Sequence, residues 1–88
     1  MEDTFFYHKN KPSDRNKATF AGVVSPEDKQ LRVGISRCNS KDDFNKELGR
    51  AIAKGRACKR PADIISLEKI PQRFWCDIFV EYCKALKL

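Results

Sequence analysis

The sequence has no apolar run approaching the ~20 residues that span a bilayer, and its opening lacks the apolar core of a secretory leader. It therefore predicts a chain that works in the cytoplasm, away from membranes. Histidine is nearly absent: His8 stands alone in a basic, Asn-containing stretch. The four cysteines, Cys38, Cys58, Cys76 and Cys83, are 20, 18 and 7 residues apart and include no C-x-x-C pair. A structural zinc site usually draws two thiolates from one tight turn, so no metal and no cofactor is expected. Disulfides need an oxidising compartment, and the cysteines are read instead as small buried hydrophobes. No G-x-x-x-x-G-K-[ST] or G-x-G-x-x-G phosphate loop occurs. The adjacent carboxylates Glu27-Asp28 and Asp42-Asp43 have simpler roles in a turn and a helix cap. With no nucleophile–base pattern either, no catalytic residue is assigned.

What remains is a chain of 88 residues, 41% apolar and 34% charged, with six Phe, two Tyr and one Trp. That aromatic content excludes a disordered tail, and the length suits one small domain near the lower limit for an unaided core. Lys and Arg number 18 against 12 Asp and Glu, a formal charge of +6. Such a surplus makes an acidic partner the expectation, either a nucleic acid or an acidic protein face.

Residues 1–17 read as an edge strand covering the core or as an arm whose Phe5-Phe6-Tyr7 and lysines stack on bases. Residues 18–38 form a β-hairpin. Ala18 to Val24 is rich in strand formers, and Ser25-Pro26-Glu27-Asp28-Lys29 supplies the turn. In the returning strand Leu31, Val33 and Ile35 alternate with Arg32, Gly34 and Ser36, which predicts one core face and one wet face. Residues 40–60 form a basic amphipathic helix that Ser40 opens with Asp43 as a capping pair, and Phe44, Leu48, Ala51, Ile52 and Gly55 make its core stripe. Residues 63–70 are ambiguous between strand and helical turn. Residues 71–87 form an apolar C-terminal helix entered at Pro71.

The fold expected is α+β: a small antiparallel sheet, a hairpin or three strands, with two main helices packed on one face. Leu31, Val33, Ile35, Phe44, Leu48, Ile52, Phe74, Ile78, Phe79 and Tyr82 are the predicted core. On the last helix the apolar arc is wider than one packed face needs, which nominates Trp75, Phe79 and Leu86 as an interface, with a homodimer or with a partner.

The helix over 40–60 carries the most informative surface. Lys46, Arg50 and Lys54 form a row at intervals of four, and Gly49, Ala53 and Ala57 form a second row beside it, flanked by Arg56 and Arg60. Small residues expose the helix backbone, and cations on either side suit close approach to a polyanion. The same pattern also fits a solvated charged face beside a seam that packs the last helix.

The string Phe44-x-Lys46-x-x-Gly49-Arg50-x-Ile52-Ala53-x-Gly55-Arg56-Ala57, directly after the hairpin and within a block from Val33 to Ala57, resembles segments of small phage and prophage accessory proteins. It covers about a third of the chain. The resemblance implies a non-enzymatic inhibitor in a host-takeover or anti-defence setting, acting in a bacterial host cell. It would bind a host protein or nucleoprotein complex that handles nucleic acid, such as a restriction, CRISPR or transcription complex. No functional residue is carried over with it. Two other readings stand beside it: a small regulator contacting DNA or RNA phosphates directly, and a small enzyme completed by oligomerisation.

Overall fold

The computed structural model describes residues 2–9, 17–38 and 45–86. Strands β1 (Asp3–Lys9), β2 (Lys17–Val24), β3 (Gln30–Cys38) and β4 (Asp63–Ser66) pair antiparallel in chain order. Helix α1 (Lys46–Lys59) connects β3 to β4, and a 3-10 turn (Gln72–Phe74) leads into α2 (Trp75–Ala85). The fold is α+β, as the sequence predicts, with β1 as an edge strand and residues 63–66 as a fourth strand.

The central hairpin is closed locally. Lys29 takes the left-handed conformation, φ 50°, and its N–H donates to the Ser25 carbonyl at 2.9 Å. The Asp28 carboxylate accepts from the Gln30 N–H at 3.1 Å and pairs with the Arg32 guanidinium. Both contacts hold the Asp28 carboxyl below the usual carboxylate range, the Arg32 bond contributing most. This turn sets the register, with Val24 opposite Leu31 and Phe20 opposite Ile35.

The two helices lie on opposite faces of the sheet, which corrects the expectation of two helices on one face. The α2 face is built from large side chains: Phe20, Val24, Leu31 and Val33 are fully buried with Phe79, Leu67 and Cys83, and Phe5 lies 6.1 Å from Phe79 between ring centroids. Burial pushes the Cys83 thiol up to about 12, so it packs as a hydrophobe. The α1 face is built from small residues. Gly34 and Ser36, expected to be wet, are buried beneath α1. A sheet covered on both sides needs apolar or small residues on both parities of its central strands, and Ala18 through Val24 are all buried.

Several residue assignments change with this arrangement. Leu48 is 58% exposed, Ile52 37% and Phe74 43%, so none belongs to the core; the row Gly49, Ala53, Ala57 is buried instead. Helix α1 starts at Lys46 rather than Ser40, because Asn45 is extended (φ −113°, ψ 108°) and its side chain accepts from the Leu48 N–H at 3.1 Å. The readings placed on Ser40, Asp42, Asp43 and Phe44 lie outside the described residues. Trp75 is 5% exposed and Phe79 fully buried, so neither is a free interface. The Trp75 indole donates to the Ile70 carbonyl at 2.9 Å, and half-buried Leu86 packs against the same core. The wide apolar arc of α2 thus has its partner within the chain. Cys58 and Cys76 are exposed, against the reading of the cysteines as buried.

Two glycine substitutions test how α1 is seated. A Cβ at Gly34 would fall 2.0 Å from the Ala53 carbonyl oxygen and 2.4 Å from the Ala57 nitrogen, both backbone atoms that cannot turn aside. Gly34→Ala should therefore destabilise by about 1–3 kcal/mol or more, since overpacking forces the backbone to shift. A Cβ at Gly55 meets nothing within 4 Å, so Gly55→Ala should stabilise by about 0.5–1 kcal/mol through helix propensity. Urea denaturation of the two variants checks both signs.

Candidate docking surface on the first helix

Helix α1 has a seam, two flanks and a crest. Gly49, Ala53 and Ala57 recur at intervals of four, which on a 3.6-residue helix gives one buried seam. Their lack of bulk lets the helix axis approach the sheet, where Gly34 and Thr19 meet it. This row is consequently not available to a polyanion, and it packs against the sheet rather than the last helix.

On one flank of the seam stand Lys46, Arg50 and Lys54, with Arg50 half-buried and both lysines exposed. They lie toward β1, where Lys46 and Arg50 act on His8. The other flank carries Arg56 and Arg60, both exposed, toward the outer edge of β3. The Arg56 guanidinium donates to the Ile35 carbonyl at 2.7 Å. Arg37, on β3, joins this pair around a cleft of about 220 Å³. Among the described residues the one ion pair is Asp28–Arg32. No carboxylate among them is in ion-pair contact with any of these six cations.

The crest of the helix, opposite the seam, is apolar from Leu48 to Gly55 and ends on the exposed Lys59. Leu48, Ala51, Ile52 and Gly55 are all exposed, at the i, i+3, i+4, i+7 spacing of an amphipathic stripe. Sequence periodicity identifies this stripe correctly but assigns it to the core. The available signal was Gly34, a glycine in the middle of a strand, which marks a close backbone approach and matches the small row at Gly49, Ala53 and Ala57. Arg37 was missed because its neighbours in space, Arg56 and Arg60, are about twenty residues away in the chain.

His8 anchors β1 beneath α1. Its Nδ1 shares a 3.0 Å hydrogen bond with the Thr19 hydroxyl, and a Cβ at Gly49 would fall 2.5 Å from that same oxygen. Among the described residues no three His, Cys, Asp or Glu side chains gather as metal ligands would, and no helix is long and apolar enough to cross a membrane. A second cleft of about 330 Å³ is lined by Glu2 and Cys58 together with Asp28 and Arg32, which pair with each other. No family model, no curated protein and no solved structure matches the chain.

Burial and the positive charges of Lys46 and Arg50 hold the His8 imidazole below its ordinary 6.5. The unfolded chain then binds a proton more readily than the folded one, so stability should fall as pH drops through about 6.5. The protein's single histidine makes its NMR titration direct. A midpoint below 6.5 that rises in Lys46→Gln and Arg50→Gln is expected, and a midpoint at or above 6.5 contradicts the arrangement.

Proposed function

We propose that this chain is a non-enzymatic binding protein that docks α1 on an acidic, partly apolar face of a protein partner. The observation that carries this reading is the outward stripe Leu48, Ala51, Ile52, Gly55 lying between two flanks of cations without carboxylate partners among the described residues. An apolar strip with a charged rim has the anatomy of a protein interface, whose centre excludes water while the rim sets orientation and on-rate. A nucleic-acid backbone rewards the cations but gives two exposed aliphatic side chains nothing to bury against. Ala51 and Gly55 add close approach, since nothing stands within 4 Å of a Cβ built on Gly55.

Within this proposal, the resemblance to phage and prophage accessory proteins gives the partner class: a bacterial complex that handles nucleic acid or serves in defence, inhibited or modulated in the cytoplasm. A chain of formal charge +6 does not imitate a nucleic acid. It would reach such a complex through an acidic protein face. The exposed thiols of Cys58 and Cys76 fit a reducing compartment.

Capture from bacterial lysate, with and without nuclease, tests the reading. The wild-type protein should retain a defined protein after nuclease treatment. The double variant Leu48→Ser, Ile52→Ser should keep its fold, because exposed positions usually shift stability by only about 0.5 kcal/mol each. It should lose at least about tenfold in affinity for the captured protein, equivalent to ~1.4 kcal/mol. Capture abolished by nuclease contradicts the protein reading. So does binding to random duplex that falls steeply with salt, at a log–log slope near −0.9 per phosphate contacted.

A further inference from the structure

Strand β1 is the open edge of the sheet. At the other edge β4 pairs with β3 as far as Val33, whose carbonyl accepts from the Ala62 N–H at 2.7 Å. Two residues on, the Ile35 carbonyl is taken by the Arg56 guanidinium. β1 pairs with β2 in an unbroken register from Asp3 to Lys9, and no strand lies on its other side among the described residues. Edge strands are normally protected by a proline, a bulge or a charge in mid-strand. This one has none of these: Asp3 and Lys9 stand at its two ends, and Phe6 at its centre is 39% exposed. Its odd residues face α2, where Phe5 meets Phe79 and Tyr7 meets Phe20, and its even residues face α1, where His8 meets Thr19.

We propose that β1 pairs antiparallel with β1 of a second copy of this chain, about a two-fold axis through Phe6. The strand is complementary to its own reverse. Set against itself in antiparallel order, Asp3 falls opposite Lys9, Thr4 opposite His8, Phe5 opposite Tyr7 and Phe6 opposite Phe6. Directly opposite residues share a face of the sheet, with Cβ atoms about 4.5–5.5 Å apart. Aromatic pairs therefore fill the centre of the contact, and an ion pair closes each end. Aromatic and opposite-charge pairs are the cross-strand pairs that stabilise a sheet. Within one chain both end charges have only neutral partners: the Asp3 carboxylate accepts from the Gln72 amide at 2.8 Å, and the Lys9 ammonium donates to the Leu86 carbonyl at 3.0 Å. Sliding by one residue would set the α2 side of one copy against the α1 side of the other, so burial fixes this register. The two-fold contact also closes on itself and leaves no β1 edge for a third copy. It joins two four-stranded sheets into one, with both α1 helices on the same side.

This goes beyond the docking surface and does not depend on it, because Leu48 and Ile52 take no part. The test is sedimentation equilibrium of the intact protein across the micromolar range. Two copies of formal charge +6 repel, so it is run at ~0.15 M salt, where exposed charges more than about 8 Å apart are screened. A reversible monomer–dimer equilibrium is expected. Phe6→Lys, at an exposed position, should weaken the dimer by about tenfold or more, because it sets two like charges together at the axis. Asp3→Lys and Lys9→Asp should each weaken it as much, since each places like charges opposite at both ends. An equimolar mixture of those two variants restores opposite charges at both ends and should dimerise at wild-type strength. Circular dichroism checks the fold of each variant. A mixture of isotope-labelled and unlabelled wild-type protein needs no variant at all, and should show nuclear Overhauser contacts between Phe5 of one copy and Tyr7 of the other. A monomer at every concentration overturns the proposal, as does a dimer untouched by Phe6→Lys or a variant mixture no stronger than its components. Intermolecular contacts from Leu48, Ile52 or β3 in place of β1 overturn it as well. A monomer that still captures its partner from lysate overturns this pairing and leaves the α1 reading standing; if Phe6→Lys abolishes that capture, the strand at the β1 edge belongs to the partner.

Discussion

The contact between Gly34 of β3 and the backbone of α1 at Ala53 and Ala57 is the constraint on which the rest depends. Any side chain at Gly34 would overlap that backbone, so the helix lies as close to the sheet as two chains can pack. Closeness on this face needs small residues on both elements, and Gly49, Ala53 and Ala57 provide them on the helix side. Large apolar residues of α1 then have no room beneath it. Leu48 and Ile52 are turned outward as a direct consequence. The opposite face has the reverse solution: Phe20, Leu31 and Phe79 fill a wider layer under α2. One sheet is thus covered by two helices at unlike distances, a large-residue layer on one side and a small-residue layer on the other.

The central hairpin and the type of both helices were legible in the sequence, whereas β1 was left open between edge strand and arm and β4 between strand and helical turn. Alternation at Leu31, Val33 and Ile35 marks a strand with a core face, and the turn at Ser25 to Lys29 marks the hairpin. The side of the sheet taken by each helix was not legible. Hydrophobic periodicity assumes that the apolar stripe of a helix faces the core, and in α1 the stripe of smallest side chains does so. Two apolar-compatible stripes on one helix leave the choice to tertiary packing, which a local pattern does not contain. The start of α1 was misplaced for a related reason: Ser40 and Asn45 are both good capping residues, and only the extended backbone at Asn45 decides between them. The arc on α2 was legible as apolar but misleading as an interface, because the sheet already offers Phe5 and Phe20 to cover it.

The functional residues follow from the same geometry. Seating the helix on its small row places Lys46, Arg50 and Lys54 along one flank and Arg56 and Arg60 along the other. The cations named from sequence spacing are therefore divided into two groups with different neighbours, His8 on one side and Arg37 on the other. The short β4 pairs with β3 only as far as Val33, so the outer side of β3 beyond it has no strand partner among the described residues. Helix orientation and strand length together set what α1 and the outer edge of β3 expose.

The orientation of α1 is the central claim, and proton–proton proximity measured by NMR on the intact protein tests it directly. The account predicts nuclear Overhauser contacts from the Gly34 α-protons to the methyl groups of Ala53 and Ala57. It also predicts strong relaxation of the Leu48 and Ile52 methyls by a soluble paramagnetic probe. Contacts from the Leu48 and Ile52 methyls to β2 and β3, with the alanine methyls relaxed by the probe instead, would mean that the helix is turned by half its circumference and would contradict the account.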